Sequence, residues 1–246
     1  MDLSTSLTIP GLIFLAAILF ASVGHGGASG YLAVMALFGV APQEMKPTAL
    51  TLNILVSLIA LIKFYRAGCF SWRLFLPFAL TSVPLAFVGG SIVLPTTLYK
   101  PIVGIVLIYA AVRLFFSVGK PQAAEPRAIH LPLAVFFGAV IGLLSGLTGV
   151  GGGIFLSPLL VFLRWADVRQ TGGVAAAFIL VNSISGLLGH FSVVSELPSF
   201  IPVWAVAAVA GGWLGAEFGS RRLGNSALCR LLAVVLVIAG LKMILG

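Results

Sequence analysis

Acidic side chains are nearly missing from this sequence: six Asp and Glu stand among 246 residues, and only 8% of all residues are charged. A soluble domain carries roughly a quarter, so water is not the main solvent of this chain. Cysteine is equally scarce. Cys69 and Cys229 are far apart, form no CxxC pair and have none of the three histidines clustered with them, which excludes a disulfide scaffold and a cysteine-based zinc site. Basic residues outnumber acidic ones and give a net charge of +8. They are scattered between apolar segments without a run or stripe, so nucleic acid is not a partner. The first apolar run opens as Met1-Asp2-Leu3-Ser4-Thr5, with no basic region before it and no small-residue cleavage site after it. It reads as a retained part of the protein, not as a removable signal.

Hydrophobic residues make up 60% of the chain, and the mean hydropathy is +1.18. Apolar blocks fall at 7–23, 31–41, 47–64, 74–94, 98–118, 131–148, 154–163, 172–193, 200–219 and 228–245. Crossing a bilayer takes about 20 apolar residues, and most of these blocks approach that length. Blocks 31–41 and 154–163 do not. Each follows a glycine tract, Gly24-His25-Gly26-Gly27-Ala28-Ser29-Gly30 or Gly149-Val150-Gly151-Gly152-Gly153, and at about 1.5 Å per residue neither spans a hydrocarbon core. The pattern predicts an all-α polytopic membrane protein.

Each glycine tract either kinks one long crossing helix or turns a hairpin that leaves on the side it entered. Basic residues decide between them. Kinks put seven Lys and Arg on each side, which is no bias. Hairpins put Lys63, Arg66, Arg73, Arg113, Lys120, Arg127, Arg164, Arg169, Arg221, Arg222 and Arg230 on one side, against Lys46, Lys100 and Lys242 on the other. The expectation is therefore six full crossings and two re-entrant hairpins in the cell inner membrane, with both termini on the external side.

The tracts also match each other, Gly24-x-Gly26-Gly27 with Gly149-x-Gly151-Gly152. Further along, Val106-Leu107-Ile108-Tyr109-Ala110-Ala111-Val112-Arg113 aligns with Val235-Leu236-Val237-Ile238-Ala239-Gly240-Leu241-Lys242, and Asn53 with Asn182. Three matches in order indicate duplication. The first repeat is read as residues 1–118, with a hairpin at 7–41 and crossings at 47–64, 74–94 and 98–118. A cytoplasmic linker occupies 119–130. The second repeat covers 131–246, with a hairpin at 131–163 and crossings at 172–193, 200–219 and 228–245. Three crossings per half is an odd number, so the halves are predicted to be inverted, and many secondary transporters place their substrate site between such halves.

Backbone N–H groups at a glycine-rich break inside the membrane have no helical partner, so the break must be buried in protein or face water. Half-helices starting near Ser29 and Ile154 would aim their positive ends at the protein centre, which favours an anion. Gly24, His25, Gly26, Gly27, Ala28, Ser29, Gly149, Gly151, Gly152 and Gly153 are the candidate substrate contacts. Simple tight helix packing is the competing explanation for such glycines. Asn53 and Asn182, with Thr48, Thr51, Ser57, Ser183 and Ser185 nearby, could complete a hydrogen-bond shell or merely join helices. Acids are missing here too: Asp2, Glu44 and Glu196 fall outside, Glu125 and Asp167 in cytoplasmic loops, and Glu217 close to Arg221 at a helix end. Cation carriers keep a carboxylate in the membrane, so an anion is the expected substrate. His25, whose repeat partner is Val150, is the ionisable group expected deep in the membrane, and proton coupling and self-association both stay open. No cofactor or metal is called for.

Gly27-Ala28-Ser29-Gly30 resembles the G-x-S-G signature of rhomboid intramembrane proteases, with His190 as a conceivable base. That reading needs Ser29 and His190 within hydrogen-bond reach. Over nearly its whole length, however, the chain resembles the sulfite exporter TauE/SafE family, also called the 4-toluene sulfonate uptake permease family. The two G-x-G-G tracts carry the resemblance, with Leu156-Ser157-Pro158-Leu159-Leu160, Pro47-Thr48-Ala49-Leu50-Thr51-Leu52-Asn53 and Asn182-Ser183-Ile184-Ser185-Gly186. The first tract departs from the usual Gly-x-Gly-Gly-Gly, and Ala33 stands opposite Pro158. The resemblance implies a membrane carrier for sulfite, sulfonates or related organosulfur anions, with an anion channel as the alternative.

Overall fold

The computed structural model describes residues 3–116, 127–193, 198–221 and 226–245. Among these residues there are ten helices and no strand: α1 (Leu3–Ala21), α2 (Ala28–Leu37), α3 (Pro42–Arg66), α4 (Trp72–Ser91), α5 (Thr96–Phe116), α6 (Leu131–Thr148), α7 (Gly153–Phe162), α8 (Val168–Phe191), α9 (Ile201–Arg221) and α10 (Ser226–Leu245). Each apolar block has become a helix. The two short blocks became α2 and α7, ten residues each. Six helices, α3, α4, α5, α6, α8 and α9, are long and apolar enough to cross a membrane. Of these, α6 had been read from sequence as the arm of a hairpin. Most of the expected linker, residues 119–126 of 119–130, lies outside the described residues. Where the chain resumes, the Arg127 N–H donates to the Arg164 carbonyl at 2.6 Å.

Polarity is turned inside out relative to a soluble protein. Leu80, Phe116, Phe136, Val206 and Phe218 are exposed, while Asn53, Ser57, Ser82, Ser145, Asn182 and Ser183 are buried. Lipid solvates the first group as well as it would a core, so helices associate by close packing and not by hydrophobic drive. Glycine supplies that closeness. Gly138, Gly142 and Gly146 of α6 lie against the carbonyls of Phe78, Ser82 and Ala86 on α4, with no room for a Cβ. Gly211, Gly215 and Gly219 of α9 lie in the same way against Phe14 and Ile18 of α1 and Ser22 just after it. Fourfold spacing puts each set on one helix face.

Helix pairs fall into matched sets. α1 packs on α9 and α6 on α4; α3 also meets α9, and α8 meets α4; α3 packs on α8, and α5 on α10. Exchanging the first five helices for the last five leaves this pattern unchanged. At one end of the bundle, Lys63 of α3 forms an ion pair with Glu217 of α9 and lies over the Trp213 ring, 4.1 Å from its centroid. At the other end, Lys46 donates to the carbonyls of Gly90 (2.8 Å) and Ile92 (3.0 Å) at the close of α4.

Candidate functional site

Two breaks in the helical backbone define the centre. Gly24 (φ 78°) and Gly27 (φ 102°) follow α1; Gly149 (84°), Gly151 (79°) and Gly152 (80°) follow α6. Left-handed backbone costs an ordinary residue about 1–2 kcal/mol, which explains glycine at these places. The turns themselves are not central. Gly24 abuts Gly172, the fifth residue of α8, and Gly149 abuts Lys46, the fifth residue of α3. From each turn the chain runs back without helical structure, and α2 starts beside Asn53 and α7 beside Ile179, each midway along its long helix. The sequence reading put the glycine tips at the centre; the structure brings the helix starts there and leaves the turns near helix ends.

Asn53 joins the two breaks. Fully buried, it accepts a hydrogen bond from the Ala28 N–H through Oδ1 (3.1 Å) and donates to the Val150 carbonyl through Nδ2 (3.2 Å). Gly26 and Gly151 make this approach possible, since a Cβ on Gly26 would strike Oδ1 and one on Gly151 would lie 2.5 Å from Nδ2. Neither α2 nor α7 receives a side-chain cap from its own N-cap residue, Gly27 or Gly152. Asn182 behaves differently. Its Nδ2 donates to Phe178 of its own helix (2.8 Å), and its Oδ1 is buried without a hydrogen-bond partner among the described residues, as is the hydroxyl of Ser183 beside Gly151.

His25 reaches across to the second break. Nδ1 lies 3.2 Å from the Val23 carbonyl; Nε2 lies 3.2 Å from the Gly153 carbonyl and 3.1 Å from the Ser157 hydroxyl. These neighbours suit two protonation states. An imidazolium donates to both carbonyls, whereas a neutral ring donates from Nδ1 and accepts the Ser157 O–H at Nε2.

The remaining candidates separate into two groups. Ala28 contributes its N–H, and Gly152 and Gly153 open α7 next to Phe178, Ile179 and His25. Ser29 is buried in the first turn of α2 and makes no dyad with His190, whose ring nitrogens both lack a hydrogen-bond partner among the described residues. The reason is placement: Ser29 follows a break, while His190 closes α8 in the last turn. Thr48, Thr51 and Ser57 donate to carbonyls of their own helix, and Ser185 donates to Val83 of α4 (2.6 Å), which joins helices. Sequence reasoning missed four contributors. Tyr31 donates to Gly26 O (2.7 Å) and Tyr99 to Thr148 O (3.2 Å), steadying one break each. Lys46, which the sequence reading placed outside, is buried beneath the second turn. Ser157 stood within a matching motif but had been assigned no role.

An apolar-coated helical bundle with a polar, glycine-lined centre defines a multi-pass membrane transporter, and comparison with known proteins agrees. The chain belongs to the sulfite exporter TauE/SafE family, which it matches over residues 9–243. It is 42% identical over 234 residues to the probable membrane transporter protein y4hK of Sinorhizobium fredii, covering 94% of this chain and 95% of that one. It is 24% identical to the probable membrane transporter protein YjnA of Bacillus subtilis, covering 98% and 100%. A probable membrane transporter protein of Methanocaldococcus jannaschii is 26% identical, with 77% and 75% covered. No solved structure gives a significant match.

Proposed function

We propose that this protein is a secondary carrier of small anions, with sulfite or an organosulfonate as substrate, and that it works by alternating access between two inverted halves. The observation that carries this reading is the Asn53 bridge, by which the start of α2 and the break before α7 converge on one amide. Two helix N-termini that their own N-cap glycines leave uncapped, a buried Ser183 hydroxyl without a partner among the described residues and the switchable donors of His25 surround that point, where Asn53 already holds the Ala28 N–H. Together they present donors to a negatively charged solute and no carboxylate. Gly24, Gly26, Gly27, Gly149, Gly151, Gly152 and Gly153 shape the passage, and Asn182 has a carboxamide oxygen whose rotation would turn Nδ2 toward the solute.

Inverted halves are supported by the exchange pattern of helix contacts, and hairpins by the return of each chain segment to the end from which it came. The excess of basic residues at one end supports an inner-membrane protein with that end in the cytoplasm and the termini outside. The test is counterflow of labelled sulfite in proteoliposomes. Saturable exchange with trans-stimulation is expected; flux that never saturates would make the protein a channel, and exchange of cations alone would discard the anion reading.

A further inference from the structure

α4 and α8 both begin at the end of the bundle where α3 finishes, since Gly172 and Gly173 of α8 lie against Phe64 and Cys69. Their starts are finished differently. At α8, Asp167 caps the helix by accepting the Gln170 N–H through Oδ1 (2.8 Å). At α4 the N-cap residue is Ser71, whose hydroxyl makes no such bond. The first N–H groups of α4 keep an uncovered positive end.

Between these two starts and the segment that leads into α6 lies a pocket of about 360 Å³, lined by Ser71, Arg73, Arg127, Ile129, Trp165 and Gln170 among others. Trp165 is buried and set against Phe78, with ring centroids 6.1 Å apart. The bond from the Arg127 N–H to the Arg164 carbonyl pins the third wall. Neither the Arg73 nor the Arg127 guanidinium has an ion pair or hydrogen bond among the described residues, and the side chains of Ser71 and Gln170 have no hydrogen-bond partner there. Asp167 is the one acidic residue in segments 71–74, 127–129 and 165–170, and it is turned to its cap. Two guanidiniums thus share a pocket without a counter-charge from the protein.

The counterpart of α4 in the exchange of the first five helices for the last five is α9, and its start shows the contrast. Pro198, Ser199 and Phe200 lead into it without a basic residue, and the Phe200 ring lies against Trp204, centroids 4.1 Å apart. The charged pocket belongs to one end of the bundle only, the end with the excess of basic residues.

We propose that this pocket binds a phosphate group, carried by an anionic lipid headgroup or free in water, through Arg73 and Arg127, with Ser71 and Gln170 as neutral donors. Each guanidinium offers paired donors to two phosphate oxygens, and basic pockets between membrane helices suit headgroups. Trp72 and Leu131, next in the chain to the lining residues, are exposed and offer apolar surface to acyl chains. The site is separate from the polar centre, because Ile179 beside the start of α7 lies more than two turns further along α8. The proposal therefore holds whichever solute is carried.

The purified full chain in detergent is titrated with inorganic phosphate, with phosphatidylglycerol and with phosphatidylcholine while thermal unfolding is followed. A ligand of the native state raises the melting temperature. Stabilisation by phosphate or phosphatidylglycerol, and not by phosphatidylcholine, is expected; phosphatidylglycerol alone would assign the site to a headgroup, and phosphate alone to a soluble anion. Arg73→Gln and Arg127→Gln are each expected to weaken apparent affinity about tenfold or more, the loss of one charge-assisted contact, with partial recovery in Arg73→Lys and Arg127→Lys. Arg66→Gln removes a charge at the same end but outside the pocket and is expected to leave affinity unchanged. All three arginines are exposed, so the variants are expected to fold, and their melting without ligand checks this. The proposal is overturned if neither probe stabilises the chain, if Arg66→Gln weakens binding as much as the pocket variants do, or if binding survives the loss of both Arg73 and Arg127.

Discussion

α2 and α7 have the same length and each begins after a left-handed glycine, but nine residues of α2 are buried and four of α7. The residues explain the difference. α2 carries Ala28, Gly30, Ala33 and Ala36, and Gly30 lets Ala16 and the Phe20 ring of α1 come into contact, where a Cβ would have atoms at 2.8 and 2.9 Å. The residue in the place of Gly30 on α7 is Phe155, whose ring stacks on Tyr109 with centroids 5.3 Å apart. Small residues sink one short helix into the bundle; a large ring props the other away from it. Duplication thus preserves the order of helices without preserving how tightly each is held.

The two breaks offer the sharpest way to attack this comparison. Gly24→Ala is expected to cost about 2–5 kcal/mol, since left-handed backbone adds to a collision with the Gly172 backbone that has no room to relax. Gly149→Ala should cost only the backbone part, about 1–2 kcal/mol, because its new Cβ would sit 3.1 Å from Lys46 O. Thermal unfolding in detergent measures both, and equal losses would contradict the unequal packing of the turns.

Asn53→Ala leaves the Ala28 N–H and the Val150 carbonyl unpaired in a buried site, an expected loss of about 2–4 kcal/mol. Asn182→Ala removes a bond within its own helix and an oxygen without a partner, so stability should change by less than about 1 kcal/mol while the sulfite KM rises. If Asn182→Ala proved the more destabilising of the two, Asn53 would not be the bridge on which the breaks depend.

Gly30→Leu should lose about 1–3 kcal/mol by overpacking against α1, and a stable variant with unchanged melting would show that α2 is not wedged there. The smallest structural effect is expected from His25→Gln, which keeps a polar side chain at the break. Transport should lose its dependence on pH, because glutamine cannot take up the second proton that lets the ring donate to both Val23 and Gly153. A profile identical to the native one would remove His25 from proton coupling.

Much of the architecture could be read from local pattern. The ten apolar blocks became ten helices, and the glycine tracts mark the two breaks where hydropathy is interrupted. Boundaries differ from the apolar blocks where a cap decides them: α2 starts at Ala28, beside the expected Ser29 and ahead of the block at 31–41, because Gly27 takes the left-handed turn. The candidate site was legible in its glycines, in His25 and in Asn53. Its wiring was not. Nothing local tells Asn53 from Asn182, although one bridges two breaks and the other folds back on its helix.

Hydropathy, helix length, the placement of breaks and the lack of membrane carboxylates follow from the sequence by itself, because each depends on neighbours within a few turns. Which hydroxyl meets His25, which carbonyl holds Lys46 and which short helix stays loose depend on partners 132, 44 and more residues away. Only the packed chain decides those, since a buried polar group takes whichever partner the bundle brings within reach.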